Sequence, residues 1–143
     1  MPSDCVFCEI IAHRSPASFV HEGDEAVAFM DIGGVNEGHT LVVPRRHATL
    51  LGDLDAESAA AVWSLGLSVA AAVRRSGLRC EGVNLLLSDG EAAGQEVFHV
   101  HLHVMPRWIG DGFSYRRPAR GRDPAPRAGL DEAAARIHAA LGG

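Results

Sequence analysis

The chain has 143 residues, of which 47% are hydrophobic, and a formal net charge of −5. This length suits one compact domain that buries roughly two thirds of its unfolded surface. The negative charge argues against long nucleic acid as a partner, because such a polymer binds through its phosphate backbone. The apolar runs are shorter than the roughly 18 residues that would span a bilayer, and the first residues do not resemble a signal peptide. We therefore expect a cytoplasmic protein without a membrane partner.

The basic and sulfur-containing residues narrow the chemistry further. All 13 basic residues are arginine, so lysine-based catalysis is excluded. Cys5 and Cys8 are separated by two residues, whereas Cys80 is distant, and this pattern does not indicate a disulfide framework. The Cys-x-x-Cys spacing is typical of zinc ligands, but two cysteines can also form a redox pair or pack as small apolar side chains. A structural zinc site needs four ligands.

The first third of the chain predicts a short helix and three strands. Residues 9–12 can form one or two helical turns, and Phe7 and Ile10 would share an apolar face that more often belongs to a core than to a ligand site. Residues 18–21 and 25–30 predict a hairpin. After a loop that begins at Asp31, residues 39–44 predict a third strand that ends at a proline.

The middle and end of the chain predict a long helix, a fourth strand and a final helix. Residues 53–76 form the long helix, with Asp55 as the N-cap, and apolar residues at spacings of three and four should cover the sheet. Residues 82–88 predict a strand, and the loop that follows has small residues whose N–H groups could hold phosphate oxygens. Residues 106–129 predict an irregular segment, and residues 130–141 predict a helix capped by Asp131.

Three histidines alternate with apolar residues in the remaining stretch, residues 97–107. Alternation with a period of two predicts a strand whose one face carries His99, His101 and His103, and whose buried face carries Phe98, Val100, Leu102 and Val104. The alternative to a functional site is a half-buried strand whose polar face happens to carry histidine. An unprotonated imidazole nitrogen can attack phosphorus, and we expect His101 to do so because it has a neighbour on each side. The predicted fold is α+β, with about five antiparallel strands.

The pattern His-φ-His-φ-His-φ-φ, where φ is apolar, resembles the histidine triad superfamily of nucleotide hydrolases and transferases. The resemblance implies one HIT-like domain over residues 1–143, with His101 as the nucleophile and His103 on the α-phosphate. It implies that His39 lies behind the triad. It also implies a nucleotide site for a purine nucleotide, in which Asp31 holds the ribose hydroxyls; its residues are Phe7, Ile10, Phe29, Asp31, Ile32, Ser88, Gly94, Gln95, Glu96 and Val97.

Zinc-containing bacterial members of that superfamily resemble this chain in a further respect. They bind a structural Zn²⁺ through a Cys-x-x-Cys, the histidine after a Pro-Arg segment and the first triad histidine. The matching residues here are Cys5, Cys8, His47 and His99, which form a Cys₂His₂ set. Members of the superfamily are usually homodimers, so the resemblance implies a homodimer for this chain as well.

Several alternatives stay open at this stage. The substrate can be a nucleoside phosphoramidate or a dinucleoside polyphosphate, and the chain departs from many members at Ser88 and Glu96, near the scissile phosphate. A non-catalytic nucleotide-binding protein or a zinc-stabilised interaction protein is the second hypothesis. The third hypothesis is a metalloenzyme that uses His99, His101 and His103 as ligands, although a row along one strand suits a tight metal cluster poorly.

Overall fold

The computed structural model describes residues 4–114 and 124–141. These residues fall into two units, the first ending at Phe113 and the second beginning at Ser114. The first unit combines two helices with one antiparallel sheet, which confirms the predicted α+β class. The second unit contains one helix, and the expectation of a single domain over the whole chain remains a prediction.

The sheet has five strands in the order β1-β2-β3-β5-β4, and all neighbouring strands are antiparallel. The strands are β1 (Phe19–Glu22), β2 (Ala26–Met30), β3 (Thr40–Pro44), β4 (Gly82–Leu87) and β5 (Leu102–Arg107). His103 lies near the centre of this sheet, because it is in register with Leu41 of β3 on one side and Leu86 of β4 on the other.

The long helix α2 (Ala56–Arg75) covers one face of the sheet. It begins where Asp55 accepts a hydrogen bond from the Ser58 N–H at 2.7 Å, as its predicted N-cap role requires. Gly77, just past the helix, has a φ of +87°, a conformation that favours glycine. The residues in the contact with the sheet are Val62, Val69 and Val73 from α2 and Ala26, Ala28, Val42, Leu102 and Val104 from the strands.

The short helix α1 (Val6–Ile11) lies on the opposite face of the sheet. It starts earlier than predicted, with the Cys5 Sγ accepting from the Cys8 N–H at the N-cap. Because side chains alternate along a strand, Ala28 faces α2 while Phe29 faces α1. The packed residues on this second face are Phe7, Ile10, Ile11, Val27, Phe29, Leu41 and Val43.

Among the described residues, α2 is the one helix that is long and apolar enough to cross a membrane by length and composition alone. Its buried valines belong to the core formed with the sheet. Its outer face leaves Trp63 and Leu67 exposed. The cytoplasmic location and the absence of membrane or nucleic acid partners remain predictions.

The predicted triad strand is wrong in its first half. β5 begins only at Leu102, and residues 97–101 form no regular strand, so the three histidines do not stand in one row. The backbone N–H of Val100 donates to the Ala48 carbonyl at 2.8 Å, which ties this segment to a loop rather than to a neighbouring strand. Phe98, predicted to be buried, is 45% exposed as a consequence.

The end of the chain also differs from the prediction. Pro106 and Arg107, predicted to begin an irregular segment, belong to β5. Helix α3 (Arg127–Ala140) starts three residues before the predicted residue 130, with Pro126 at its N-cap and no capping side chain, so Asp131 lies inside the helix. Pro126 has no side-chain oxygen that could accept a hydrogen bond from the first N–H groups of the helix, so the sequence carries no capping signal at this start.

Candidate functional site

A cavity of about 710 Å³ opens on the face of the sheet that carries α1. Its floor is formed by side chains of four strands, including Phe29, Leu41, Leu86 and Met105. The site residues predicted from the sequence that line it are Phe7, Ile10, Phe29, Asp31, Ile32, His39, Ser88, Gly94, Glu96, Val97, His101 and His103. The structure therefore brings together nearly the whole predicted nucleotide site, with Ile32 at its fully exposed rim.

His101 is held in one tautomer by the backbone. Its Nδ1 lies 2.8 Å from the carbonyl oxygen of His99, and because a carbonyl only accepts, Nδ1 carries the hydrogen. The other ring nitrogen, Nε2, then has the lone pair of a neutral imidazole. The ring of Phe7 packs edge-on against this imidazole with centroids 5.2 Å apart. His101 is thus a buried imidazole with a fixed orientation in the cavity wall.

His103 and His39 form a hydrogen-bonded pair beside His101. The Val35 N–H donates to His39 Nδ1 at 2.9 Å, so the hydrogen of neutral His39 is on Nε2. That Nε2 lies 2.9 Å from His103 Nδ1, which must accept, and the hydrogen of His103 is therefore on Nε2. His101 and His103 have ring centroids 4.9 Å apart. The pair places one acceptor nitrogen and one donor N–H side by side.

Burial keeps the side chains of His103 and His39 neutral at physiological pH. Burial, together with the nearby His101 and His39, lowers the pKa of His103 to about 4 against the opposing charge of Asp31. Burial also lowers the pKa of His39, again opposed by Asp31. The Asp31 carboxylate lies 3.5 Å from His39 Nε2 and 4.0 Å from His103 Nδ1. Its other oxygen accepts from the Gly33 N–H at 2.8 Å, which fixes the carboxylate at the cavity wall.

Gln95 is the predicted nucleotide-binding residue that does not line the cavity. Its side chain is buried, and its Oε1 accepts from the Gly90 N–H at 2.7 Å. Its Nε2 donates to the carbonyls of Thr49 at 2.9 Å and Val97 at 3.1 Å. Gln95 thus fastens the loop that carries Gly94 and Glu96, and a role as a side-chain ligand of the nucleotide does not agree with this geometry.

His99 belongs to a different cluster from the other two triad histidines. Its Nε2 lies 2.8 Å from the Pro44 carbonyl and donates to it, so Nδ1 is unprotonated, and burial lowers the pKa of His99 to about 4. That Nδ1 lies 3.5 Å from Cys5 Sγ, 3.6 Å from Cys8 Sγ and 3.2 Å from His47 Nδ1. All four ligand atoms lie within 4.8 Å of one another.

These distances fit a tetrahedral metal site. Bonds of about 2.3 Å to sulfur and about 2.0–2.1 Å to nitrogen place neighbouring sulfur and nitrogen ligands of a tetrahedral Zn²⁺ about 3.5 Å apart, and two nitrogens about 3.4 Å apart. The Cys8 Sγ to His47 Nδ1 distance of 3.4 Å also agrees. Burial and the neighbouring Cys5 raise the pKa of the Cys8 thiol to about 11. A bound dication would reverse this shift, because it favours the thiolate.

A hydrogen-bond network that was not predicted from the sequence holds the chain after β5. Arg107 binds both Asp111 oxygens, at 2.6 and 2.9 Å, and donates to the Phe113 carbonyl at 2.6 Å. Hydrogen bonds from Arg107 lower the pKa of Asp111, and the Asn36 amide donates to the same carboxylate. The network places Phe113 in the cavity wall. An Arg and an Asp four residues apart were the available signal, but they lie in a segment predicted to be irregular.

Comparisons with known proteins agree with this geometry. A sequence model described as HIT domain matches residues 12–108. A HIT-like protein of Borreliella burgdorferi is 39% identical over 115 residues, which cover 80% of this chain and 83% of that protein. The crystal structure of a HIT family protein from Bacillus anthracis has a TM-score of 0.85 and 34% identity, covering 99% of both chains. The structure of a Zn-bound histidine triad family protein from Mycobacterium smegmatis has a TM-score of 0.75 and 39% identity, covering 91% of this chain and 97% of that one.

Proposed function

Because the chain belongs to the HIT domain family, we propose that it hydrolyses or transfers a purine nucleotide at its α-phosphate. The substrate is a nucleoside phosphoramidate or a dinucleoside polyphosphate. The observation that carries the proposal is the fixed tautomer of His101, whose Nδ1–H donates to the His99 carbonyl and whose Nε2 lone pair is available in the cavity wall. The neighbouring His103 offers an N–H donor rather than a second acceptor.

The cavity divides into a nucleoside part and a phosphate part. Phe7, Ile10 and Phe29 offer apolar surface to the base, with Ile32 at the rim, and Asp31 can accept hydrogen bonds from the ribose hydroxyls. Ser88, Gly94, Glu96 and Val97 lie in the same wall as the two histidines and surround the phosphate in this proposal. The Gly94 backbone has a φ of +92°, which favours glycine in the loop that Gln95 fastens.

The proposed reaction has two half-reactions. The Nε2 of His101 forms a bond to phosphorus while the bond to the leaving group breaks, and the leaving group takes that electron pair and one proton. The charge of the bound phosphate favours proton uptake by His103, which passes this proton on. Water then attacks the nucleotidyl-histidine, His101 departs with the electron pair of its bond, and a proton from the water returns to His103.

In the same proposal, Cys5, Cys8, His47 and His99 hold a structural Zn²⁺. These four residues would complete a tetrahedral set of ligands, so a metal held by them would stabilise the chain and would leave no position for substrate. The carbonyl that orients His101 belongs to His99, one of the four ligands. A metal bound at this site would therefore also hold the backbone of His99, whose carbonyl orients His101. The Zn-bound relative from Mycobacterium smegmatis supports the choice of metal.

The proposed assembly is a homodimer. Strand β4 is an edge of the sheet, and such an edge has N–H and C=O groups available for pairing with another chain. The outer face of α2 adds exposed Trp63 and Leu67, which a partner could bury. Sedimentation equilibrium at several protein concentrations tests the assembly, and a mass of one chain at all concentrations contradicts it.

A comparison of His101→Ala with the wild type tests the activity. The variant should lose turnover of adenosine 5′-phosphoramidate, while its fold and its binding of AMP persist. His21→Ala is the matched control, since His21 is exposed on β1 and lies outside the cavity. Turnover by pure His101→Ala at the wild-type rate rejects the mechanism. Binding of AMP without turnover by the wild type favours the second hypothesis, a non-catalytic nucleotide-binding protein.

A further inference from the structure

A second cavity, of about 440 Å³, lies next to the nucleotide cavity. The two cavities share Val6, Glu96 and Val97 as lining residues. The second one is completed by Asp4, Cys5, His47, Thr49 and Phe98, so it extends from the catalytic side toward the metal-ligand cluster. A group attached to phosphorus near His101 and Glu96 can therefore reach this cavity by passing along Glu96.

Among the described residues other than histidine, the charged side chains that line the two cavities are all acidic. Asp31 and Glu96 line the nucleotide cavity, and Asp4 and Glu96 line the second cavity. None of the arginines within residues 4–114 and 124–141 lines either cavity, and the chain has no lysine. The histidines beside the phosphate position are neutral because burial lowers the pKa of His103 and of His39. Such a surface repels the additional charges of a polyphosphate and attracts a cation.

The second cavity also offers apolar surface. Phe98 is 45% exposed and Val6 is 46% exposed, and both belong to this wall. Exposed apolar side chains beside carboxylates suit a ligand with an apolar stem and a cationic end, because the stem covers the aromatic ring while the cation meets the carboxylate. Phe98 is exposed because the strand β5 begins only after it. In this position its ring can pack against the apolar stem of a ligand.

We infer that the second cavity is the leaving-group subsite, and that Glu96 selects leaving groups that carry a cation on an apolar stem. This inference rests on the proposed function and narrows its substrate to nucleoside phosphoramidates of diamines. In the first half-reaction the P–N bond breaks, and the leaving nitrogen takes the electron pair and the proton carried by His103. The products after hydrolysis are the nucleoside monophosphate and the free diamine. The distal ammonium group of the leaving amine does not react and lies against Glu96.

The experiment compares leaving groups that differ only in charge. The substrates are the adenosine 5′-phosphoramidates of 1,5-diaminopentane, pentylamine and 5-aminopentanoic acid, the unsubstituted adenosine 5′-phosphoramidate, and diadenosine tetraphosphate. The measurement is kcat/KM for each substrate with the wild type, Glu96→Gln and Phe98→Ala. Glu91→Gln is the matched control, because Glu91 is an exposed acid in the same loop that lines neither cavity.

The wild type should prefer the cationic substrate over the neutral one, and the neutral one over the acidic one. Glu96→Gln should reduce the ratio of cationic to neutral kcat/KM about two- to fivefold, the size expected for one exposed ion pair. The same variant should raise the relative turnover of diadenosine tetraphosphate, an opposite change that general damage would not produce. Phe98→Ala should reduce kcat/KM for the 1,5-diaminopentane and pentylamine substrates relative to the unsubstituted phosphoramidate. Glu91→Gln should leave all ratios unchanged.

The outcomes separate this inference from the proposed function. Equal kcat/KM for cationic and neutral substrates in the wild type, or ratios that Glu96→Gln does not change, overturn the leaving-group subsite. The proposed function stands in that case if His101→Ala is inactive on the same substrates. A wild-type protein that turns over none of these substrates overturns the proposed function itself.

Discussion

A substitution of Gln95 gives the sharpest test of how the loop beside His101 and His103 is held. Replacement by methionine keeps a side chain of similar length but removes hydrogen bonds to Gly90, Thr49 and Val97. Each such bond contributes about 0.5–1.5 kcal/mol net. Because the three backbone groups are only partly buried, water replaces some of the lost bonds. We therefore expect Gln95→Met to lower the free energy of unfolding by about 2–3 kcal/mol, toward the middle of the summed range.

The same change should reduce activity more than nucleotide affinity. The loop carries Gly94 and Glu96 in the cavity wall, and a small displacement of groups around the reacting phosphate lowers kcat/KM about 10- to 100-fold. Urea unfolding and phosphoramidate turnover are the two measurements, and the surface variant Glu91→Gln is the control, expected to stay within about 0.5 kcal/mol of the wild type. A Gln95→Met protein with wild-type stability and wild-type turnover would refute the assignment of Gln95 as the residue that fastens this loop.

Three further predictions concern His39, His103 and the metal-ligand cluster. A Cβ at Gly34 would fall 2.7 Å from His39 Cβ, so Gly34→Ala should displace His39, lower stability by about 1–3 kcal/mol and reduce turnover; an unchanged variant on both counts contradicts the contact. Cys8→Ser should reduce bound zinc well below one ion per chain in metal analysis, whereas Cys80→Ser should retain it, and equal zinc in both would reject the Cys₂His₂ site. Burial lowers the pKa of His103 from 6.5 to about 4, so the unfolded chain takes up a proton that the folded one does not as the pH falls below about 6.5. Between pH 7 and pH 5 the wild type should lose about 1–2 kcal/mol of stability relative to His103→Gln, and parallel urea midpoints would contradict this.

Much of the fold follows from local patterns in the sequence. The apolar spacing of Val62, Val69 and Val73 predicts the helix that packs on the sheet, and Asp55 predicts where it begins. The presence of five strands follows from short apolar runs and turn residues, although alternation places the start of β5 too early. The start of α3 does not follow in this way, because its N-cap has no capping side chain and Asp131 imitates one four residues into the helix.

The site could be predicted as a set of residues but not as an arrangement. Alternation suggested three equivalent histidines on one strand, and only contacts distant in sequence divide them. His99 is turned away by its hydrogen bond to the Pro44 carbonyl, and the backbone of Val100 pairs with Ala48. These interactions connect residues about 50 positions apart, so they cannot be predicted from a local sequence pattern. The buried role of Gln95 depends on the same kind of contact, here with Thr49.

The most direct test of the proposed mechanism is detection of the covalent intermediate on His101. The wild type is mixed with adenosine 5′-phosphoramidate, quenched within the first turnover under conditions that preserve phosphoramidate bonds, and examined by intact mass and by peptide mapping. The proposed mechanism predicts one adenylyl group per active chain, attached to His101 and absent from His101→Ala. An adenylyl group on another residue, or complete first-turnover hydrolysis by His101→Ala, would contradict it.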